Sequence, residues 1–299
     1  MHQNLQNMTP YLKFALIVAF ALLQTRTTAQ TAQLSYVNLN DTVFVFGDKI
    51  NIREKPASDA KAVTQLNIGE MMIVTEITET KTTLNNLEMP WYKVRFKGQQ
   101  TGYVWGGLIS VTGLQKVGDV QFVAGIVKQT KAVKSEEDLP EYQIEMRAIK
   151  AGAVVHKVSM NIGGYGYFHA METEIGARGL KGYNAILGVT LSYDACGYPW
   201  NDWYVLWDGK QLSSLPLCVS VSDAGVFSHR ERYVFPQPLN EYETGHYGDE
   251  SQFFFAIEHN EREEQEDGSW DENSWERARL MKKVGDNWVK PKNMNEPKQ

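Results

Sequence analysis

Short apolar segments alternate with polar turns along most of the chain. The segments are rich in valine, isoleucine and aromatic residues, and glycine, proline, asparagine or aspartate separates them. This pattern is typical of short β-strands joined by turns. Helical spacing is scarce, and its best example is Ser274 to Lys283 near the end of the chain. We therefore predict a mainly β protein.

The first region, residues 38–112, holds several such segments in close succession. Strands are predicted over Val43–Phe46, Asn51–Arg53, Ala62–Leu66, Met71–Ile77, Trp91–Phe96 and Gly102–Trp105. The polar stretch Glu79 to Pro90 contains Asn85-Asn86 and is interpreted as an exposed connecting loop. Five or more short strands separated by turns predict a small barrel.

A second and larger set of strand patterns extends over residues 119–290. About nine segments with glycine-rich turns predict a β-sandwich or a propeller-like array. No clean repeat period is present. Val111 to Asp119 carries Gly113 and Gly118 and no strong apolar pattern, so the domain boundary is placed there. Residues 291–299 are polar and are predicted to be a disordered tail.

The N-terminus has the order of a secretory signal peptide. Lys13 precedes an apolar run from Phe14 to Leu23, and a polar stretch ending at Gln30 follows. The run is shorter than the ~20 residues needed to cross a membrane, and no later segment comes closer. Cleavage after Ala29 is expected, and the alternative is an N-terminal anchor helix that is never cut. We predict a soluble exported protein, periplasmic or secreted, with no membrane span.

Charge narrows the range of partners. The formal net charge is -6, and it becomes more negative when the predicted cleavage removes Lys13 and Arg26. Nucleic acid is therefore not an expected partner. Acidic residues concentrate between Glu258 and Glu276, a segment interpreted as a solvated, mobile loop. The functional alternative is that this segment contacts a basic partner or loosely held divalent ions.

Four fragments of the first region together resemble the bacterial Src-homology-3-like domain. They are Asn51-Ile52-Arg53 with Pro56, Leu66-Asn67-Ile68-Gly69, Trp91-Tyr92-Lys93-Val94 and Gly102-Tyr103-Val104, which occur in the order and spacing of that family. The resemblance implies a small β-barrel that binds or targets, found in exported bacterial proteins and often associated with the cell wall. The long stretch from Glu79 to Pro90 departs from the family pattern.

Aromatic residues are the candidate ligand-binding groups of this barrel: Trp91, Tyr92, Tyr103 and Trp105. A barrel of this size cannot bury all of them. Because side chains alternate along a strand, we expect one member of each pair, Trp91 and Tyr92 or Tyr103 and Trp105, to face outward. The outward residues either line a ligand groove or pack against the second domain. Arg53 is expected to tie a turn.

Cys196 and Cys218 are the only cysteines. In an exported chain they are predicted to form a disulfide, whose loop closure contributes about 3 kcal/mol. The alternative is that Cys196 is a nucleophile paired with a histidine such as His229. The residues around Cys196 have turn chemistry and those around His229 are charged, a context that disfavours this alternative.

Metal and cofactor sites are not predicted. The six histidines lack the paired spacing of zinc ligands. Asp194, Asp202, Asp208 and Asp223 flank turns but do not form a calcium loop pattern. The tryptophan-rich segment that begins at Trp200 could form a sugar platform, although Trp203 to Trp207 alternates as a half-buried strand does, which favours core packing.

These observations predict an exported, non-enzymatic binding or scaffold protein. Its barrel is expected to recognise a peptide, a cell-wall component or its own second domain. The alternative function is a hydrolase of envelope polymers whose site lies in the second domain.

Overall fold

The computed structural model describes residues 37–131, 138–164, 166–170, 176–193, 195–223, 225–238, 249–265, 267 and 269–294. The predicted signal peptide and its cleavage site lie outside these residues. No helix in the described ranges has the length and apolarity needed to cross a membrane. Within the same ranges the only helical element is a 3₁₀ turn, Gly106–Leu108, so the prediction of a mainly β protein is confirmed.

A six-stranded sheet forms the barrel, in the order β1-β4-β5-β6-β2-β3. Its strands are β1 (Thr42–Phe44), β2 (Lys49–Arg53), β3 (Ala62–Asn67), β4 (Met71–Leu84), β5 (Leu87–Phe96) and β6 (Gln100–Trp105). Its interior is filled by alternate residues of these strands, among them Ile50, Ile52, Met72, Val94 and Val104. Gly102 is needed here because a Cβ at this position would lie 2.5 Å from Ile52.

The expected loop between Glu79 and Pro90 is instead part of a long β-hairpin. β4 and β5 continue to pair as far as Leu84 and Leu87. Asn85 and Asn86 both have positive φ, 53° and 60°, as a tight two-residue hairpin turn requires. The loop interpretation was therefore wrong: the polar residues of this stretch belong to paired strands.

Residues after the barrel form two further large sheets, which are called the second domain below. One has four strands in the order β10-β9-β8-β7: β7 (Gln115–Val117), β8 (Val120–Lys131), β9 (Glu141–Lys150) and β10 (Ala153–Gly163). β7 lies inside the predicted linker, where the apolar pattern was too short to indicate a strand.

The other large sheet has eight strands, in the order β11-β12-β13-β15-β16-β17-β18, with β14 paired to β13. They are β11 (Tyr167–Ala170), β12 (Ala185–Ser192), β13 (Trp200–Trp207), β14 (Leu212–Ser214), β15 (Cys218–Asp223), β16 (Phe227–Val234), β17 (Phe254–Glu264) and β18 (Trp270–Leu280). A small hairpin follows, β19 (Lys282–Val284) with β20 (Asn287–Val289).

The eight-stranded sheet has a core on each of its faces. Trp203, Val205 and Trp207 of β13 pack with Phe122 and Ile144 of the four-stranded sheet in one core. Intervening residues of the same sheet face a second core, whose other members include Phe235, Phe253 and Met281. Every residue of β12 is buried, as expected for a strand covered on both faces. This layering confirms the sandwich-like prediction.

Two other predictions are wrong because the residues concerned form paired strands. Glu258 to Glu276 is mainly the β17–β18 hairpin and not a mobile loop, and Ser274 to Leu280 belongs to β18 and not to a helix. The disordered tail predicted from residue 291 does not begin there, because Met294 is buried in the second core. Residues 295–299 lie outside the described part of the chain.

Candidate functional site

Two of the predicted binding residues of the barrel are buried against the second domain. Trp91 and Trp105, which pair across β5 and β6, are 3% and 5% exposed. They share a core with residues of β8, β9, β12 and β13, together with Leu87 and Met89 of the long hairpin. Of the two alternatives for the outward aromatic residues, packing against the second domain is therefore the one observed for Trp91 and Trp105.

Both indole groups also have their hydrogen bonds satisfied within the barrel. Trp91 Nε1 donates to Thr82 Oγ1, and Trp105 Nε1 donates to the Thr82 carbonyl oxygen, each at 2.8 Å. Thr82 lies on the part of β4 that had been interpreted as a loop. A buried indole N–H needs a partner. Because Thr82 of the extended hairpin supplies it for both rings, the hairpin fixes the two tryptophans that contact the second domain.

Tyr92 and Tyr103 occupy different surroundings. Tyr92 lies in the barrel interior, and burial raises the pKa of Tyr92 to about 12. Tyr103 is half-buried beside the first core, with Lys93 Nζ 5.9 Å from its ring centroid. The expectation that Tyr103 and Trp105 face opposite sides was wrong, because residues two apart share a face. Trp91 and Tyr92 do face opposite sides, yet both are covered.

A second contact joins the barrel to the four-stranded sheet through Arg147. Its Nη1 donates to the Phe46 carbonyl oxygen at 2.7 Å, and its guanidinium lies 4.1 Å from the Phe46 ring centroid. Glu145 holds the other side of the guanidinium at 2.7 Å. The Phe46 ring covers Gly125, where a Cβ would come within 2.4 Å of the ring. Phe46 of the barrel therefore contacts the four-stranded sheet of the same chain.

Arg53, by contrast, closes a turn inside the barrel. Its Nη1 donates to the carbonyl oxygen of Ala60, which confirms the expectation that it ties a turn.

The second domain carries an open groove of about 700 Å³ on the eight-stranded sheet. This volume is within the ~300–1,000 Å³ typical of small-molecule sites. Its lining comes from the loop before β13, from β13 and β15, and from β16 and β17: Tyr193, Ala195, Cys196, Tyr198, Trp200, Asp202, Tyr204, Ser220, Val221, Ser222, Ser228, His229, Arg230, Glu231, Arg232 and Glu258.

Exposed aromatic rings line the end of the groove at the start of β13. Trp200 is 51% exposed and Tyr198 is 39% exposed. The Tyr193 and Tyr198 rings lie 5.0 Å apart between centroids, so Tyr193 supports the position of Tyr198. Unlike the barrel tryptophans, Trp200 offers its surface to solvent.

Asp202 lines the groove and bonds a buried threonine. Its Oδ1 accepts a hydrogen bond from Thr190 Oγ1 at 2.6 Å, and Thr190 is itself buried. Burial raises the pKa of Asp202 above its ordinary value, although the bond from Thr190 and the nearby His169 and Arg230 oppose the rise. Acids whose pKa is shifted by burial are frequent at functional sites.

Other charges beside the groove are engaged in ion pairs. Arg232 bonds Glu258 at 2.7 Å and Glu276 at 3.1 Å. Glu231 accepts from Lys290 Nζ at 2.6 Å and from the Val219 amide at 2.7 Å. These pairs stabilise the packing of β15 to β18.

Arg230 is the exception, since its side chain is 61% exposed and lies 3.9 Å from Glu258. That separation is at the limit of an ion pair, and the Glu258 carboxylate already bonds Arg232. Arg230 therefore presents a positive charge to whatever enters the groove.

The predicted disulfide is not formed, since Cys196 and Cys218 are both free. Asp202 pairs with Cys218, whereas the Gly197 amide donates to the Ser222 carbonyl oxygen. Cys196 is therefore displaced by about four residues along β15, or roughly 13 Å at ~3.3 Å per residue. A disulfide needs Cα atoms within about 7 Å. The strand register excludes the bridge.

Cys196 and His229, the pair considered as a nucleophile and its base, both line the groove. Their environments differ: the Cys196 side chain is exposed, whereas His229 faces His259 on β17, with ring centroids 5.8 Å apart. Burial lowers the pKa of His229, with a smaller contribution from His259 in the same direction. Among the described residues, no cluster of three or more potential metal ligands is present.

Trp200, Tyr198, Asp202 and Arg230 were not predicted to form one surface. A signal was present in β13. Extending its alternation back from Trp203 places Trp200 and Asp202 on the face opposite the buried Trp203. Their position in one groove with Arg230 depends on the pairing of β13, β15 and β16, which no local pattern specifies.

Residues 48–110 match the family model of the bacterial SH3 domain. This match contains all four motif fragments and confirms the resemblance for the N-terminal half. It supports a binding or cell-wall-associated module in this part of the chain. No curated protein and no solved structure matches the chain significantly.

Proposed function

We propose that this protein is an exported, non-catalytic binding protein of the bacterial cell envelope that holds a cell-wall component in the groove of its second domain. Its bacterial SH3 domain serves as a structural part docked onto that domain. One contrast carries the proposal: the barrel tryptophans are buried with satisfied N–H groups, whereas Trp200 and Tyr198 are exposed beside Asp202 and Arg230.

Export is part of the proposal and rests on the N-terminal sequence. Lys13, the apolar run Phe14 to Leu23 and the small residue Ala29 have the order of a cleaved leader. A bacterial SH3 domain is compatible with a location outside the cytoplasm. Determining the N-terminal residue of the protein recovered from the periplasm or medium tests this part. Recovery of uncleaved chain from the cytoplasm alone would contradict it.

Sedimentation of the full chain with purified, insoluble wall polymer tests the binding function. We expect the unmodified protein to sediment with the polymer and Trp200→Ala to remain in the supernatant. Trp270→Ala is the matched control, because Trp270 is 54% exposed and lies on β18 outside the groove. Tyr103→Ala reports on the barrel and should sediment normally.

Two results would contradict this assignment. Absence of sedimentation by the unmodified chain would remove the wall component as ligand. Loss of sedimentation in Tyr103→Ala with retention in Trp200→Ala would place the ligand on the barrel.

A second candidate function, hydrolysis of an envelope polymer, is favoured by one observation: Cys196 and His229 line the same groove. The two functions differ in whether soluble fragments appear when the full chain is incubated with wall polymer. We expect none. Release of fragments that stops in Cys196→Ser would replace the binding function with a cysteine-dependent hydrolase.

A further inference from the structure

Three features of the groove bear on the chemistry of its ligand: a flat aromatic surface, a row of hydroxyl groups and a pair of opposite charges. The aromatic surface is formed by Trp200, with Tyr198 beside it, and both are exposed. Exposed indole and phenol rings offer large, rigid and amphipathic contact area. The apolar face of a sugar ring matches such a surface in shape and size.

Hydroxyl groups continue the lining beyond the aromatic rings. Ser220 and Ser222 of β15 and Ser228 of β16 line the groove together with the Asp202 carboxylate. Among the described residues, Thr190 is the one that hydrogen-bonds this carboxylate, through Oδ1. No described residue donates to its Oδ2, which leaves this oxygen to accept from a ligand. Hydroxyl side chains both donate and accept, so a ligand rich in hydroxyl groups suits this lining.

Arg230 adds a positive charge within reach of the same ligand. Trp200 pairs with Ser220 across β13 and β15, and Val221 pairs with His229 across β15 and β16. The Trp200 and Arg230 backbones are therefore about 10 Å apart, which is two strand spacings. A ring that covers Trp200 leaves its substituents close to the guanidinium. A single guanidinium suits a planar carboxylate, which it contacts through two parallel bonds.

We infer that the groove binds a saccharide that carries a carboxylate group: a sugar ring lies against Trp200, a ring hydroxyl donates to Asp202, and the carboxylate pairs with Arg230. This inference rests on the proposed function and specifies its ligand. The acidic flank of β17 and β18, which holds Glu258 and Glu276 next to Arg232, disfavours a ligand with several negative charges. One carboxylate beside one guanidinium is consistent with that field.

A matched pair of disaccharides tests the inference by titration calorimetry on the full chain. The first, N-acetylglucosaminyl-N-acetylmuramic acid without peptide, carries a lactyl carboxylate. The second, N,N′-diacetylchitobiose (chitobiose below), has the same N-acetylated amino-sugar backbone and lacks that group. We expect the acidic disaccharide to bind on the order of tenfold more tightly, as a hydrogen-bonded charge pair provides.

Variants assign the discrimination to Arg230. In Arg230→Gln the affinity ratio of the two disaccharides should fall to about one while chitobiose binding is kept. Arg279→Gln removes the same charge from an exposed position of β18 and should keep the ratio. Trp200→Ala should weaken both disaccharides alike. Protection of the exposed Cys196 thiol from alkylation by either disaccharide locates them in the groove, since Cys218 is buried.

Equal affinity for the two disaccharides, or an unchanged ratio in Arg230→Gln, would overturn the inference. Sedimentation with wall polymer combined with no binding of either disaccharide would also overturn it, and would leave the proposed function in place. Binding of an isolated wall peptide, with no binding of either disaccharide, would likewise overturn the inference and leave the proposed function in place. If the unmodified chain does not sediment with wall polymer, the proposed function fails and the inference fails with it.

Discussion

The barrel face and the groove are both rich in aromatic residues, yet they have opposite relations to solvent. On the barrel, Trp91 and Trp105 donate to Thr82 and lie in a core shared with the second domain. In the groove, Trp200 is half exposed and lies near Arg230, whose side chain is largely exposed. Aromatic content alone therefore does not distinguish a binding surface from a domain contact. The distinction is whether another part of the chain covers the aromatic rings.

The largest expected effect comes from truncating the buried side of this comparison. Trp91→Ala should lower the free energy of unfolding by about 3–5 kcal/mol, because it opens a cavity in the shared core. Urea denaturation of the full chain measures this change. Trp270→Ala, at an exposed position of β18, should stay within about 0.5 kcal/mol of the unmodified protein. A cost below about 1 kcal/mol for Trp91→Ala would show that the domain contact is loose.

A smaller loss is expected where the barrel meets Gly125. Gly125→Ala forces the Phe46 ring to move, since the added Cβ would lie 2.4 Å from it; overpacking of this kind costs about 1–3 kcal/mol. Gly113→Ala is the control, because its added Cβ has no neighbour within 4 Å. Combined with Phe46→Ala, the Gly125→Ala change should cost much less than it does alone. Strict additivity of the two changes would refute the proposed contact.

On the groove side, Asp202→Asn should stabilise the fold near pH 7. Burial raises the pKa of Asp202 in the folded chain above its ordinary value of 3.8, so ionisation favours the unfolded state. The penalty is present at neutral pH and disappears as pH falls through the raised pKa toward 3.8. Asparagine keeps an acceptor for Thr190. The thermal midpoints of the unmodified protein and of Asp202→Asn, measured from pH 4 to 7, should converge at the acidic end. A difference that stays constant with pH would contradict the raised pKa of Asp202.

The smallest stability effect should come from Trp200→Ala. Its side chain is half exposed, and a surface substitution of this kind changes the free energy of unfolding by about 0.5 kcal/mol or less. The loss of wall binding proposed for this variant would then occur in a fully folded protein. Destabilisation above about 2 kcal/mol would instead identify Trp200 as a packing residue, and the contrast with Trp91 would be lost.

The strands and the barrel were predictable because their determinants are local. β-Formers and turn residues alternate along the chain, and motif glycines such as Gly102 mark positions where a neighbouring strand leaves no space for a side chain. The second domain was predictable as a set of strands for the same reason. Its sandwich arrangement follows from two sheets covering a common core, and the sequence left a propeller-like array open as well.

The hairpin, the absence of the disulfide and the groove could not be predicted because they depend on contacts between segments that are distant in the sequence. Glu79 to Pro90 is polar enough to suggest a loop, whereas Leu87 and Met89 are buried by strands that occur later in the chain. The disulfide prediction used compartment and loop length, but the pairing of β13 with β15 decides where Cys218 lies. The groove depends on which part of β13 remains uncovered. A single strand pattern does not contain that information.

The long hairpin of the barrel limits how this protein can be rearranged. A fragment cut at residues 48 and 110, the limits of the family match, would expose Leu87, Met89, Trp91 and Trp105 to water and would lack strand β1. Such a fragment presents a contiguous apolar patch of the kind that promotes aggregation. The barrel is therefore not a transferable cassette. Recombination that exchanged it for another bacterial SH3 domain would have to preserve the surface that meets β8 and β9, whereas changes of ligand can accumulate in the groove without disturbing that surface.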